Sequence, residues 1–292
     1  MLETTASTLI NPGNGNLAFK FMTFNDGSSF DHLQRHNYYS LIWAKLAAGK
    51  VRADFKEYDL LSNTLFAFSP YQPFIFLAEH LHGVALHFHP DFFCIHKHQD
   101  EIACNGVLFN NIYEPPFIAV NEALNVALEN ILAQIKNEMQ HAALAQHELL
   151  VSYLKIFLIN CSRLKAEQTP GAGKDAAAAK EPFILQSLKN AIEKNFKQKH
   201  SAGEYADELN ISAKALARVT KAYFNRTITE LISERIIIEA KRELYLTNKS
   251  VKEIAYELGY DDEYYFSRFF KVNTDISPQM YRDTIGFGRG AA

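Results

Sequence analysis

The stretch that decides the fold is Ser250–Arg282, SVKEIAYELGYDDEYYFSRFFKVNTDISPQMYR. Ser250 followed three residues later by Glu253 is a capping box, which starts a helix. The apolar residues after it recur at helical spacing, at Val251, Ile254, Ala255 and Leu258. Gly259 comes next, where a residue of positive φ ends a helix. The pattern predicts a short helix with one buried face and a turn after it.

The second helix of this stretch has an apolar face and a polar, partly cationic face. Asp261 or Asp262 can cap its start. Its apolar stripe is Phe266, Phe269 and Phe270. The candidate contact residues on the other face are Glu263, Tyr264, Ser267, Arg268 and Lys271. Such a helix fits the DNA major groove, where Arg recognises guanine and Tyr, Ser and Lys hold bases or phosphates. The alternative is a helix hairpin whose polar face is only solvated.

An earlier copy of the motif lies about 50 residues upstream, a spacing that indicates an internal repeat. Ser201 and Glu204 form another capping box, and YADELN at 205–210 resembles IAYELG at 254–259. Ser212 can cap the next helix. Its outward residues have the spacing of the second motif and are Lys214, Ala217, Arg218 and Lys221. The repeat favours DNA binding over a solvated hairpin.

A long helix is predicted between the two copies, over Ile228–Leu246. At 1.5 Å per residue its length is on the order of 27 Å. This length would set two recognition helices near the ~34 Å repeat of successive major grooves. Residues 183–199 form a further amphipathic helix that can support the first copy of the motif.

Residues 1–120 are predicted to be β-rich, because short aromatic and β-branched runs alternate with turn residues. The runs are LAFKFMTF, TLFAFS, PFIFLA, GVALHFH, FFCIH and GVLFNNIY. A compact antiparallel barrel or sandwich is the expected result. Phe66, Phe68, Phe74 and Phe76 alternate, so that one face can line an interior. We expect solid core there, with a ligand cavity as the alternative.

Histidines are crowded in the same region and raise the possibility of a metal site. An HxH pair on a strand directs both imidazoles to one face. The candidate ligands are His87, His89, His96, His98 and Glu101. The spacing departs from that of metal-binding cupins, since no carboxylate follows His89 in step and Gly106 comes early after His98. We therefore expect solvated or hydrogen-bonded histidines and assign no metal.

Two amphipathic helices are predicted over residues 121–168, by apolar residues at helical spacing. They can cover the β domain, pair with a second subunit, or do both. TPGAGKDAAAAKE at 169–181 comes after them and offers almost nothing to bury, which is typical of a linker.

Composition is that of an ordinary globular protein: 292 residues, 48% hydrophobic and 22% charged. No apolar run approaches the ~20 residues that span a membrane, and no signal peptide is evident, so we expect a cytoplasmic protein.

The net charge is −3, but residues 182–292 carry 17 Lys and Arg against 15 Asp and Glu. Attraction to DNA must therefore come from local clusters of cations. Cys94, Cys104 and Cys161 lack metal spacing and are expected to be buried free thiols.

The second motif resembles the AraC/XylS family of bacterial transcription regulators. Ser250–Arg282 carries the family pattern I-A…GY…FSR-FK…G-SP-YR nearly complete, with Asp275 where glycine is frequent. The resemblance covers roughly residues 183–286. The first motif is less typical, with alanine at Ala213, Ala215 and Ala217. The β-rich half is similar to the cupin-like sensing and dimerisation domains that family members often carry.

The predicted fold is a two-domain α+β chain. Residues 1–120 would form a cupin-like β-barrel that senses an effector, 121–168 a helical dimerisation or cover segment, 169–181 a linker, and 182–286 an all-α double helix-turn-helix domain. The resemblance implies double-stranded DNA as partner, with a small-molecule effector, a homodimer and RNA polymerase as further candidates. No cofactor and no catalysis are predicted. The alternative is a cupin-type metal-dependent enzyme with a helical appendage.

Each motif is expected to divide its contacts between bases and phosphates. Arg268 is the first choice for a base contact, with Glu263, Tyr264 and Ser267 around it. Lys214 and Arg218 serve the first motif, beside Ala217. Lys221 and Lys271 are expected to hold phosphates.

Overall fold

The computed structural model describes residues 5–53, 56–102, 106–141, 143–168 and 183–285. The predicted linker at 169–181 lies outside the described residues. The chain divides into two compact units. Of the described residues, the sheet unit comprises those up to 111 together with those in 116–168, and the helical unit comprises 112–115 together with 183–285.

The sheet unit is built on a seven-stranded antiparallel sheet. Its strands are β1 (Ala6–Ile10), β2 (Leu17–Phe24), β3 (Tyr39–Ala53), β4 (Lys56–Leu61), β5 (Thr64–Phe68), β6 (Phe74–Phe88) and β7 (Phe117–Ala119). The spatial order is β1-β2-β6-β3-β5-β7, and β4 pairs with the second half of β3. This confirms the predicted antiparallel β-rich region. A closed, cupin-like barrel stays a prediction.

The two longest strands, β3 and β6, pair along almost their whole length and change register near Ala44 and Gly49. Such irregularities bend a sheet. Gly49 has φ +132°, and a Cβ atom there would lie 2.4 Å from the Leu77 carbonyl oxygen, so the bend requires glycine. The rings of Phe68 and Phe74 are stacked, with their centroids 4.0 Å apart. The four predicted interior phenylalanines are all buried and belong to one core, at Phe66, Phe68, Phe74 and Phe76.

The opposite face of the sheet is covered by helices, which is one of the two roles considered for residues 121–168. Helix α1 (Gln99–Ile102) is short; α2 (Glu122–Gln140) and α3 (Gln146–Gln168) are long. Leu128, Leu154 and Leu158 are fully buried against the sheet core. Each such burial stabilises the fold by ~1.5–3 kcal/mol. Cys161 lies in this core, Cys94 is also a buried free thiol, and Cys104 is outside the described residues.

Two of the predicted β runs form no strand. FFCIH at 92–96 lies in turns and irregular loop, and GVLFNNIY at 106–113 is turn, bend and irregular loop apart from one bridge residue. Phe92, Phe93 and Phe109 are nevertheless buried in the sheet core. Aromatic density therefore indicated burial correctly, but it does not determine backbone conformation. PFIFLA and GVALHFH, in contrast, are two parts of the single strand β6.

The helical unit contains seven helices within its described residues, among them the six predicted above. They are α4 (Phe183–Asn195), α5 (Ala202–Glu208), α6 (Ala213–Phe224), α7 (Ile228–Leu246), α8 (Val251–Glu257), α9 (Glu263–Thr274) and α10 (Pro278–Ile285). Leu231, Ile236 and Leu244 of α7 are buried, in keeping with the predicted apolar side of this helix. The long helix thus forms the centre around which the shorter helices pack.

The charged side of α7 carries a partly buried ion-pair network. The Glu239 carboxylate lies 3.2 Å from Arg235 Nη1 and 3.0 Å from Arg242 Nη1. Burial raises the pKa of Glu239, but Arg235, Arg242 and Lys197 more than offset this effect, so its pKa is lowered overall. The carboxylate is therefore ionised at neutral pH and links α7 to the segment after α4.

None of the described helices combines the length and the hydropathy needed to cross a bilayer.

Candidate nucleic-acid interface

The first helix pair, α5 and α6, turns at Asn210. A complete capping box starts α5: the Ser201 amide donates to Glu204 Oε2 at 2.9 Å, and the Glu204 amide donates to Ser201 Oγ at 3.5 Å. Asn210 has φ +54°. Ser212 then caps α6 by accepting from the Ala215 amide at 3.2 Å. Every step of this turn was predicted from residue type.

The second pair, α8 and α9, repeats the same steps. The Ser250 amide donates to Glu253 Oε2 at 2.7 Å, and the Glu253 amide donates to Ser250 Oγ at 3.2 Å. Gly259 has φ +81°. Of the two candidate caps, Asp262 is the one used, since its Oδ1 accepts from the Tyr264 amide at 2.8 Å. Both pairs join a seven-residue helix to a twelve-residue helix.

The turn of the second pair packs against the segment that precedes α5. A Cβ atom on Gly259 would lie 2.2 Å from the Lys197 carbonyl oxygen, so only glycine allows this approach. The His200 and Tyr260 rings are 4.9 Å apart, and Tyr260 lies 5.3 Å from the ring of Phe269. Phe269, which was predicted within the apolar stripe, is only half-buried. These contacts fix the position of the second motif within the helical unit.

The outward face of α6 is cationic. Leu216 and Phe224 anchor the helix in the core. The four predicted contact residues are all exposed: Lys214, Ala217, Arg218 and Lys221. They follow one another at intervals of three, one and three residues, which places them on one stripe of the helix.

The outward face of α9 is more mixed in chemistry. Phe266 and Phe270 anchor it. Tyr264 is 76% exposed. Arg268 and Lys271 are exposed, whereas Glu263 and Ser267 are half-buried. The structure brings all five predicted residues together on this helix, and their contact with DNA stays a prediction.

Several cations of the helical unit outside the two faces are held in ion pairs. Elsewhere, Lys199 pairs with Glu208, Arg235 with Glu193, and Lys249 with Glu257. The exposed cations on the two faces form no ion pair with any described residue; they are Lys214, Arg218, Lys221, Arg268 and Lys271. Their positive charge is therefore available to an anionic partner, as phosphate binding requires.

Arg282, the last residue of the second motif, has a structural role. It is buried, its Nε donates to the Leu244 carbonyl at 3.1 Å, and its Nη2 donates to the Lys249 carbonyl at 2.6 Å. It thereby joins α10 to the end of α7. Sequence reasoning missed this role, and the only available signal was the position of the arginine in the motif.

The helices α6 and α9 both end in a left-handed residue. Asn225 has φ +51° and Asp275 has φ +64°, and both amides donate to the carbonyl four residues earlier. Asp275 is the position where the resemblance led us to expect glycine. The left-handed backbone explains that expectation, because glycine adopts it without a steric cost.

The histidines of the sheet unit lie in different environments. His87 is buried and its Nδ1 lies 2.9 Å from Ser40 Oγ. Burial, with smaller contributions from His36 and Lys20, lowers the pKa of His87 to about 3. His36, half-buried 6.3 Å from the His87 ring, has its pKa lowered to about 4 mainly by burial. Both imidazoles are therefore neutral at pH 7, and neither can bind an anion as a cation.

The other candidate metal ligands are held by local contacts. His89 is buried, and its Nδ1 accepts from the Asp91 amide at 3.2 Å. His98 lies 2.9 Å from Glu101 Oε1, and the same carboxylate pairs with Lys155. His96 is half-buried. Within the described ranges, no three His, Cys, Asp or Glu side chains cluster as metal ligands would.

The chain is similar to known regulators. Residues 205–284 match the family described as Helix-turn-helix domain. The uncharacterised HTH-type transcriptional regulator YfiF of Bacillus subtilis is 24% identical over 262 residues, which cover 86% of this chain and 78% of that protein. The HTH-type transcriptional activator RhaS of Citrobacter koseri is 24% identical over 210 residues, 64% of this chain and 72% of RhaS. A crystal structure of an apo ToxT variant from Vibrio cholerae is 14% identical, covers 97% of each chain and gives a TM-score of 0.42.

The matched residues 205–284 run from α5 to α10 and contain both helix pairs. The relatives that align outside this region are also named as transcriptional regulators. The chain therefore carries an AraC-type helix-turn-helix domain at its carboxy-terminal end and is a DNA-binding transcription regulator.

Proposed function

We propose that α6 and α9 both enter the major groove, in successive turns on one face of double-stranded DNA. The observation that carries this proposal is the pair of exposed stripes on helices of equal length, each with cations that form no ion pair among the described residues. The 19-residue helix α7 spans on the order of 27 Å between them. That length suits the ~34 Å repeat of the groove.

Within this proposal the second motif recognises sequence. Arg268 donates two hydrogen bonds to a guanine, and exposed Tyr264 contacts a neighbouring base or phosphate. Glu263 and Ser267, half-buried beside them, restrict which bases fit. Lys271 holds a phosphate at the end of the stripe.

The first motif holds the DNA more through charge than through base recognition. Lys214, Arg218 and Lys221 contact phosphates, while Ala217 offers no hydrogen-bonding group. A motif of this kind strengthens binding to every sequence and keeps the second motif in register.

Selection of bound sequences from a random DNA pool tests the proposal and identifies the site. On the selected site, Arg268→Ala should cost ~1–3 kcal/mol and relax specificity at one position. Lys271→Ala should weaken binding to all sequences alike and reduce the slope of log K against log salt by about one. Lys194→Ala, an exposed cation on α4 outside both faces, is the matched control and should leave binding unchanged. Equal, sequence-independent losses for Arg268→Ala and Lys271→Ala would remove base recognition by α9.

The sheet unit is proposed to bind a small effector. A half-open cavity of about 380 Å³ lies between β1, β2 and the start of α3. Its walls include Leu9, Leu17 and Phe92, and its polar members include His89 and His147. This volume and this mixture suit a small, mainly apolar molecule with a few hydrogen-bonding groups.

Thermal-shift screening of small molecules against the full chain tests the effector. A true ligand should raise the Tm of the wild-type protein. It should not raise the Tm of Ala18→Leu, because the larger side chain occupies part of the cavity. Ala123→Leu on exposed α2 is the control and should keep the effect. A ligand whose effect survives Ala18→Leu would place the effector elsewhere.

A cupin-like barrel, a homodimer, contact with RNA polymerase and a cytoplasmic location complete the proposal. Val126 of α2 and Ile156 of α3 are 58% and 46% exposed, which supports a second copy as partner for these helices. Sedimentation of the wild type and of Val126→Asp tests dimerisation. A bacterial transcription regulator must reach DNA in the cytoplasm, and this supports the proposed cytoplasmic location.

A further inference from the structure

The short segment Ile112–Pro115, IYEP, belongs to the helical unit although the chain on both sides of it belongs to the sheet unit. It lies about 70 residues upstream of α4 in the sequence. We name Ile112–Pro115 the strap. The helix-turn-helix motifs themselves do not explain why an upstream segment belongs to this unit.

Tyr113 connects the strap to two helices of the first motif region. Its hydroxyl donates to Glu193 Oε1 of α4 at 2.9 Å. Its ring lies 5.9 Å from the ring of Phe224, the last residue of α6, and 5.5 Å from Lys189 Nζ. Burial raises the pKa of Tyr113, with further contributions from Glu193, so the hydroxyl keeps its proton and remains a donor.

Ile112 connects the strap to the junction between α6 and α7. It is 3% exposed, and its carbonyl accepts from Arg226 Nη1 at 3.4 Å. Arg226 follows Asn225, the residue that ends α6, and pairs with Glu234 of α7. The guanidinium therefore contacts the strap and α7 at the same time.

Glu193 connects the strap to α7. Its carboxylate accepts a hydrogen bond from the Tyr113 hydroxyl and another, at 2.8 Å, from Arg235 Nε of α7. The strap thus contacts α4, the end of α6 and, through shared ionic partners, α7. The contact of Tyr113 with α6 is at Phe224, the buried last residue of that helix, so the exposed stripe with Arg218 remains available to DNA.

We propose that Tyr113 is a positioning residue for the first recognition helix, through which the strap fixes the end of α6 against α4 and α7. The proposal rests on the proposed DNA contacts of α6. Without the tyrosine, α6 must be ordered at the moment of binding, and the cost of that ordering appears as lost affinity. The second motif has separate contacts at Gly259 and Arg282 and keeps its position.

Binding of full-length variants to the selected DNA site tests this proposal. The single variants are Tyr113→Ala, Tyr113→Phe, Arg218→Ala and Arg268→Ala. Two double variants combine Tyr113→Ala with Arg218→Ala or with Arg268→Ala. Tyr113→Ala should weaken binding roughly tenfold, since a cost of ~1.4 kcal/mol in ordering corresponds to a factor of ten. The loss of binding free energy caused by Tyr113→Ala should be non-additive with that of Arg218→Ala, because both changes affect the same helix. It should be additive with the loss caused by Arg268→Ala. Tyr113→Phe keeps the ring and should lose less.

A structural role alone would not produce this pattern of coupling, and Tyr113→Phe keeps the test valid if Tyr113→Ala fails to fold. Tyr113 variants that bind like the wild type, or losses additive with Arg218→Ala, would overturn the inference while the contacts of α6 stand. If Arg218→Ala itself leaves DNA affinity and salt dependence unchanged, the proposed contacts of α6 fail, and the inference fails with them.

Discussion

The two helix pairs share one backbone and the same outward arginine and lysine, Arg218 and Lys221 in α6 and Arg268 and Lys271 in α9, but the other predicted contact positions differ. Both begin with a Ser and Glu capping box, both turn at a left-handed residue, and both recognition helices have twelve residues. Yet α6 presents three cations and an alanine, whereas α9 presents a tyrosine, an arginine and a lysine with a glutamate and a serine. Caps and turns constrain the buried side of each pair, while the exposed side can change without cost to the fold.

The pairs also differ in what holds them. The first is held by the strap and by the pairing of Arg226 with Glu234. The second is held by the approach of Gly259 to Lys197 and by buried Arg282. Equivalent positions in the two motifs therefore offer matched tests, in which the same substitution should have different effects.

The turn residue should give the largest difference. Gly259→Ala should lower the free energy of unfolding of the helical unit by ~3 kcal/mol or more, because an alanine there adds a close contact to a left-handed backbone. Asn210→Ala, at the equivalent turn, should cost only ~1 kcal/mol. Urea unfolding followed by far-UV circular dichroism measures both, while fluorescence of Trp43, the one tryptophan, reports the sheet unit. Equal losses at the two turns would contradict the asymmetry.

The buried arginine should give the next difference. Arg282→Met should cost ~2–3 kcal/mol, because the Leu244 and Lys249 carbonyls lose a charged donor. Fifty residues earlier, Ile232 is buried in α7, and Ile232→Met should cost less than ~1.5 kcal/mol because it conserves apolar volume. The same urea unfolding measurement compares the two variants. If Arg282→Met and Ile232→Met lower the free energy of unfolding equally, Arg282 is not the residue that joins α10 to α7.

The helix ends should give the smallest difference. Asp275→Gly should raise the free energy of unfolding by ~1 kcal/mol, since glycine relieves the left-handed strain and removes a negative charge from the carboxy-terminal end of a helix. Asn225→Gly should gain less, because asparagine tolerates this conformation better. Thermal unfolding followed at a helical wavelength measures the shift in Tm. A loss of stability in Asp275→Gly would contradict the expected relief of left-handed strain.

The sequence predicted the helical unit well and the sheet unit only in outline. Ser250, Glu253 and Gly259 act through local hydrogen bonds and backbone preference, so their effects are readable from a few neighbouring residues. In the sheet unit, FFCIH had the composition of a strand but lies in turns and irregular loop. Strand formation depends on a partner strand distant in sequence, and composition does not reveal the partner.

The candidate site divides in the same way. The exposed stripe on α9 follows from helical periodicity once Phe266 and Phe270 are assigned to the core. Arg282 stood in the same motif, but its burial depends on α7, nearly forty residues earlier. Long-range contacts of this kind leave no periodic signal.

By itself, the sequence determined where helices α5 to α9 begin and which of their faces are exposed, because caps, turns and amphipathic periodicity act over a few residues. Only the tertiary structure decided that Ile112–Pro115 belongs to the helical unit, that Arg282 is buried, and that Phe68 and Phe74 meet in one core. These contacts depend on which distant segments come together, and no local preference specifies that.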